Sequence, residues 1–208
     1  MRKVVSAAIA FLLIISPLAL LYSEEAKDEI NKPKKLTITL KSGINIVGTL
    51  YEPREVTSLN FVLLHGLGST RHEWTGFAEK LHTMGYGVFM YDARGHGESV
   101  LCENGTEINY KSFTRWGKTS PWMLMIDDLD EILIYLEKLV GLDPKRFVLG
   151  GASLGANVAL NCASRKKDLR GLILLSPGLD YAGVTTEYPM RFCKVPAIAI
   201  AASPGDAY

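Results

Sequence analysis

The chain has 208 residues, with 23 Lys and Arg against 22 Asp and Glu, 48% hydrophobic residues and 22% charged ones. That length suits one domain, and the apolar fraction excludes a disordered chain. A net charge of +1 argues against nucleic acid as the main partner, because neutralising phosphates needs a basic excess. The first segment stands apart from the rest. Met1-Arg2-Lys3 is basic, Val4 to Leu21 is apolar apart from Ser6, Ser16 and Pro17, and Tyr22-Ser23-Glu24-Glu25 is polar again. That order is the order of a secretory signal peptide, and Pro17 suits processing better than a spanning helix. Residues 1–23 are therefore predicted to direct export, to a secreted or periplasmic location. The alternative is an uncleaved anchor over residues 4–21, since 18 apolar residues can just span a bilayer.

Residues 24–35 form a charged linker. Leu36–Leu40 and Ile44–Tyr51, around the turn Lys41-Ser42-Gly43, read as a hairpin. Phe61-Val62-Leu63-Leu64 is a short apolar run of the kind buried on both faces of a parallel sheet. Thr70-Arg71-His72-Glu73 has the form of a capping box. Trp74, Phe77, Ala78 and Leu81 follow at helical spacing up to Gly85. Gly87–Tyr91 is a further strand. Ser120-Pro121 opens the longest helix, with the stripe Trp122, Ile126, Leu129, Leu133, Leu136 and Val140 ending at Gly141. Strands are expected at Arg146–Gly150, Gly171–Leu175 and Ala197–Ala201, with a helix of small residues (Ala156, Ala159, Ala163) between the first two. Strands alternating with helices predict a three-layer α/β/α sandwich with a mostly parallel sheet.

Chemistry concentrates in Gly151-Ala152-Ser153-Leu154-Gly155. The pattern G-x-S-x-G alone is weak, arising by chance in about one chain in fifteen of this length. Here it follows a buried strand and opens a helix, the setting a nucleophile elbow requires. Its bland alternative is a Gly-rich helix start with a capping serine. His65-Gly66-Leu67-Gly68 is a Gly-rich loop at the carboxyl end of a buried strand, where free backbone N–H groups can face a developing oxyanion. The expected donors are the N–H groups of Leu154 and Leu67. His65 is expected to brace its loop through hydrogen bonds. No metal is expected, because H-E-x-x-H and ligand-spaced His/Cys clusters are lacking. Three cysteines (Cys102, Cys162, Cys193), none in a C-x-x-C pair, make no disulfide framework. No cofactor is expected: no dinucleotide fingerprint follows a strand and there is no Walker loop.

His65-Gly-Leu-Gly68, Tyr91-Asp-Ala-Arg-Gly-His-Gly-Glu-Ser99 and Gly151-Ala-Ser-Leu-Gly155, in this order, resemble the α/β-hydrolase superfamily. The similarity covers about residues 36–208 and is nearest to the dienelactone-hydrolase-like and serine-aminopeptidase-like branches. It implies an eight-stranded sheet and a Ser…Asp…His triad in that chain order. Ser153 takes the nucleophile position. Asp206, just after the seventh strand, takes the acid position, with Asp180 as the alternative. Asp92 and Arg94 would pin a loop to which His96 belongs. The base histidine has no counterpart: His65, His72, His82 and His96 all precede Ser153, and His72 and His82 are expected on a helix surface. The fold is thus expected to lack its last strand and helix, as in a truncated copy.

The function this implies is a serine hydrolase of carboxylic esters or related acyl substrates, nearly inactive as this chain. The alternative is a non-catalytic ligand-binding protein on the same scaffold. Ser176–Pro196 leaves too little chain for a helical cap, so an open site for small or extended esters, or peptide ends, is expected. Tyr110, Phe113 and Trp116 in the loop 101–119 either line an acyl pocket or anchor that loop. The partner expected is a small-molecule ester, with no nucleic acid and no membrane beyond the N-terminal segment.

Overall fold

Alternation of the strand residues explains the architecture of this computed structural model, which describes residues 32–203 apart from Trp116 and Lys118. The segment 1–23 expected to direct export, residues 24–31 of the expected linker, Trp116 and Asp206 lie outside the described residues, and Lys34 and Lys35, expected in the linker, belong to the first strand. The chain divides into Met1–Lys32 and Pro33–Tyr208, and the fold belongs to the second unit.

Seven strands form one sheet: β1 (Lys34–Thr39), β2 (Asn45–Tyr51), β3 (Asn60–Leu64), β4 (Gly87–Tyr91), β5 (Phe147–Ala152), β6 (Gly171–Leu175) and β9 (Ile198–Ala201). Their spatial order is β1-β2-β4-β3-β5-β6-β9. The β1–β2 hairpin is antiparallel and joins β4 antiparallel, while β4, β3, β5, β6 and β9 run parallel. The small hairpin β7 (Asp180–Tyr181) and β8 (Val184–Thr185) stands apart.

Successive side chains of a strand point to opposite faces. Val62, Leu64, Phe89 and Tyr91 accordingly enter the core on one side, and Phe61, Leu63, Val88 and Met90 that on the other. Helices α2 (Pro121–Val140) and α3 (Leu154–Ser164) cover the first face, with Ile126, Leu129, Leu136, Ala159 and Leu160 fully buried. Helix α1 (Thr75–Thr83) covers the second face through Ala78 and Leu81. These are the three predicted layers. Helix α4 (Glu187–Phe192) packs against α3. The outermost strand, β9, is exposed along its whole length.

Local signals explain the helix ends. Ser120 Oγ accepts from the N–H of Met123, Pro121 takes the first position of α2, and Gly141 closes the helix at φ 75°. Two expectations need correction. Thr70 makes no side-chain cap, because residues 71–74 form a 3-10 turn rather than the first turn of an α-helix. Glu73, the far member of the expected box, bonds elsewhere, as described below. His82 is buried rather than at the surface. It lies one turn beyond Ala78 on the face of α1 turned to the sheet, with its ring 5.3 Å from that of Tyr51.

Candidate active site

Strand β5 runs straight into the turn that carries Ser153. The residue sits at φ 52° and ψ −121°, a conformation costly for any side chain other than glycine's. The surrounding bonds hold it there. Its N–H donates to Leu175 O at 2.8 Å, continuing the ladder with β6, while its carbonyl accepts from Ala156 and Asn157 and starts α3. Small residues make the turn possible. A Cβ on Gly155 would meet the carbonyl oxygens of His65 and Leu64, and one on Gly151 would meet the backbone of Gly155. Ser153 is half-buried, and among the described residues its hydroxyl has no hydrogen-bond partner. The N–H of Leu154 is the first of α3 and has no carbonyl behind it within the helix. Ser153 is therefore an elbow residue rather than a helix cap.

The loop after β3 approaches this turn closely: a Cβ on Gly66 would lie 3.4 Å from Ser153 Cβ. Both imidazole nitrogens of His65 are used. Its Nδ1 bonds to Gly66 O at 2.7 Å, and its Nε2 accepts from the N–H of Ala93 at 3.0 Å, which makes Nδ1 the protonated nitrogen. Burial pushes the His65 pKa down, against the bond to Gly66, which favours the charged form. His65 braces its loop, as expected, and has no nitrogen left for the serine. Ser69 N–H also donates to Gly66 O, at 3.1 Å, closing a tight turn. The N–H of Gly66 donates to Glu73 Oε2 at 3.0 Å. Leu67, at the tip, is exposed.

The loop after β4 supports the previous one. The Asp92 carboxylate accepts from the N–H groups of Arg71 and Glu98 and pairs with the Arg71 guanidinium in a buried contact. Arg94 and Asp128 form a buried two-pronged pair between this loop and α2. Burial raises the Asp128 pKa in spite of Arg94. Asp92 and Arg94 thus pin the loop, as the sequence led us to expect. His96 bonds through Nδ1 to Arg94 O and stacks on Tyr110, with ring centroids 4.1 Å apart. Burial lowers its pKa to about 4.

Tyr110 and Phe113 anchor the loop 101–119. Phe113 packs edge-on against Trp122. The N–H of Tyr110 bonds to Gly95 O, and its hydroxyl stands 3.2 Å from where a Gly68 Cβ would be.

A strained serine between a parallel strand and a buried helix, faced by a braced Gly-containing loop, is the constellation of one fold. The family model for serine aminopeptidase S33, a branch of the α/β hydrolases, matches residues 57–201. The chain belongs to this family. Solved α/β hydrolases share its fold. An esterase of Pyrococcus furiosus, Pf2001, superposes with a TM-score of 0.60 at 21% identity, covering 83% of this chain and 71% of that one. In another crystal form the same esterase gives 26% identity and a TM-score of 0.55, over 73% of this chain and 54% of that one. A highly thermostable carboxyl esterase from Bacillus coagulans gives 21% identity and a TM-score of 0.54, over 69% and 44%. The chain spans about half the length of most of the solved relatives it matches. No functionally curated protein matches it.

Asp180, the alternative acid, is exposed and accepts from the N–H of Gly183 at 2.7 Å, closing the β7–β8 turn. His72 is exposed in the 3-10 turn. Among the described residues, no group of His, Cys, Asp and Glu is placed to hold a metal ion.

One residue at the site has no counterpart in the sequence reading. Asn157 is fully buried on α3, one turn after the elbow. Its amide donates to Gly178 O and Val184 O and accepts from the N–H of Gly178, tying the loop after β6 to helix α3. A lone Asn in an apolar stretch was the available signal, since a buried amide needs such partners. Glu73 was noticed, but for the wrong bond.

Proposed function

We propose that this protein is a serine hydrolase acting on carboxylic esters or related acyl substrates, with Ser153 as nucleophile. The strained, half-buried Ser153 carries the reading. Such a conformation persists only where its surroundings enforce it, and it presents Oγ at the carboxyl edge of the sheet. In the first step Oγ would attack the acyl carbonyl, the carbonyl oxygen would gain charge, and the N–H groups of Leu67 and Leu154 would take it. Preorganised donors of this kind are worth about 10²–10³ in rate each. The leaving alcohol would depart as the acyl-serine forms, and water would then release the acid. Esterases among the solved relatives support ester substrates. The short β7–β8–α4 connection favours a site open to small or extended esters.

Asp206 is the acid of this reading. No base is assigned, because His65 is committed at both nitrogens, His96 and His82 are buried, and His72 is exposed on the 3-10 turn. An oxyanion hole and binding alone give about 10³–10⁴-fold over water. The expected activity of this chain is therefore slow. The same commitment of the histidines favours a second reading, ligand binding without turnover.

One experiment separates the two. Phenylboronic acid forms a tetrahedral adduct on a nucleophilic serine and needs no leaving-group chemistry. It should bind saturably to the wild type and not to Ser153→Ala, and slow p-nitrophenyl acetate hydrolysis should disappear in the same variant. Boronate binding and hydrolysis both unchanged in Ser153→Ala would overturn the nucleophile. Boronate binding that depends on Ser153, with no turnover above buffer, would favour the binding protein.

We also propose that residues 1–23 direct export. The amino terminus of the protein recovered from outside the cytoplasm should then begin close to Glu24, and an intact Met1 would point to the anchor.

A further inference from the structure

We propose that Glu73 is a positioning residue for the oxyanion donor: by accepting the N–H of Gly66 it fixes the peptide that aims the Leu67 N–H toward Ser153. The inference rests on the roles of Ser153 and Leu67 given under Proposed function.

The argument starts from peptide geometry. A peptide unit is planar and trans, so an N–H and the carbonyl preceding it point in opposite directions. The N–H of Leu67 shares its plane with Gly66 C=O. That oxygen receives His65 Nδ1 at 2.7 Å and Ser69 N–H at 3.1 Å, which fixes one side of Gly66. The other side is the peptide between His65 and Gly66. Its N–H donates to Glu73 Oε2 at 3.0 Å. Gly66 has no side chain to restrain its two backbone dihedrals, and glycine visits more of that space than any other residue. Only with both flanking peptides held does the glycine stay in the conformation that presents Leu67.

Glu73 is itself held from behind. Its N–H bonds to Thr70 O, and Arg71, two residues before it, is tied to Asp92 through its N–H and its guanidinium. The carboxylate makes no reciprocal cap with Thr70, the use its sequence position suggests, and the Gly66 amide takes it instead. It is exposed and has no ion-pair partner among the described residues, so neither burial nor a salt bridge explains its placement.

The charge of Glu73 works against the chemistry. A Cβ on Gly66 would be 3.4 Å from Ser153 Cβ and 3.8 Å from Glu73 Oε2, so nucleophile and carboxylate face the same glycine. A negative group there opposes an oxyanion forming on the substrate. Acceptance of the hydrogen bond, not charge, is the useful property. Glutamine retains the acceptor and loses the charge, whereas alanine loses both.

The two variants therefore move in opposite directions. Glu73→Ala should weaken phenylboronic acid binding and lower kcat for p-nitrophenyl acetate by about tenfold, part of the cost of losing a donor outright, with KM within twofold of wild type. Glu73→Gln should match or exceed the wild type in both. Boronate affinity unchanged in Glu73→Ala, or lost equally in Glu73→Gln, overturns the proposal. A readout free of chemistry accompanies them. The backbone order parameter of the Leu67 amide should fall in Glu73→Ala and stay at the wild-type value in Glu73→Gln. If Ser153→Ala binds the boronate as well as the wild type, the hydrolase reading fails. The Leu67 order parameter then decides by itself whether Glu73 locks the loop, and no change in it overturns the lock.

Discussion

Two loops meet at the carboxyl edge of the sheet, and they are held in different ways. The turn at Ser153 is set by lack of space: Gly151 and Gly155 leave room for nothing larger, and backbone bonds do the rest. The loop at Leu67 is set by side chains from elsewhere, with His65 reaching Ala93, Glu73 reaching Gly66, and the loop after β4 pinned by Arg71–Asp92 and Arg94–Asp128. The first restraint is steric and local. The second is a hydrogen-bonded frame whose parts are individually replaceable. Substitutions at the turn should therefore damage folding, while substitutions in the frame should damage either stability or site geometry, depending on how deep they lie.

The largest effect is expected at the turn. Gly155→Ala drives a methyl group into the carbonyl oxygens of Leu64 and His65, and backbone cannot move aside cheaply. A loss of about 3 kcal/mol or more is expected, at the upper end for overpacking and a large part of a domain's stability. Urea unfolding measures it. Gly43→Ala is the control, since that glycine has open space around it and only a left-handed φ of 80°. It should cost about 1 kcal/mol. Equal losses at the two glycines would show that space is not what shapes the elbow.

Next comes the buried pair of the frame. Asp128→Ala leaves the buried Arg94 guanidinium with the Ser42 hydroxyl alone, and a loss of about 3 kcal/mol is expected, the low end for breaking a buried pair. The double variant Arg94→Met with Asp128→Leu removes both charges and should recover most of that loss. Failure of the double variant to recover would mean that the pair also holds the loop by geometry that apolar groups cannot supply.

The same contrast explains what was legible in the sequence. The elbow was readable because glycine, serine and glycine at that spacing after an apolar strand describe a local steric solution. Strand β6 was placed to the residue, since Gly171–Leu175 is an uninterrupted apolar run. Strand β5 extends past the expected Gly150 to Ala152, because the ladder with β6 continues up to the turn. The frame was hardly readable. Its bonds join Gly66 to Glu73, His65 to Ala93 and Arg94 to Asp128, and no periodicity in the chain brings those partners together. Asp127, Asp128, Asp130 and Glu131 lie in the first half of a helix, where its dipole favours acids whatever their partners. In the structure Asp128 is a buried ion-pair partner, and Asp130 meets Lys166 and the buried Cys162 thiol. Glu73 satisfied a local pattern and bonded outside it, because the Gly66 amide competes for the same carboxylate.

A third substitution tests the frame at its tip. Leu67→Pro removes the proposed donor N–H from an exposed residue with little effect on the core. Boronate affinity should drop by about 10²–10³, the usual cost of one oxyanion donor, while the far-ultraviolet spectrum and the unfolding midpoint stay near wild type. Unchanged affinity would move the second donor to another amide of the loop.

The smallest effect lies in the pH dependence of the frame. His65 and His96 face each other with ring centroids 5.0 Å apart, with Asp92 near both and Tyr110 stacked on His96. Burial holds both imidazoles below the ordinary histidine pKa of 6.5, His96 at about 4. Each is neutral in the folded chain at a pH where the unfolded chain begins to take up protons. The unfolded state therefore binds more protons below pH 6.5, and stability falls as pH falls. This contribution is present in full above pH 6.5 and is lost progressively down to about pH 4. Glu98, held down to about 2 by hydrogen bonds from Lys35 and Arg71, loses its contribution in a lower window, between about 4.5 and 2. The two can be separated by pH alone. His96→Phe preserves a ring to stack on Tyr110 and removes the titration. Its Tm should fall less than that of the wild type between pH 6.5 and 4, and by the same amount below pH 4. Parallel curves for the two proteins across the upper window would show that the imidazole is not held neutral by the fold.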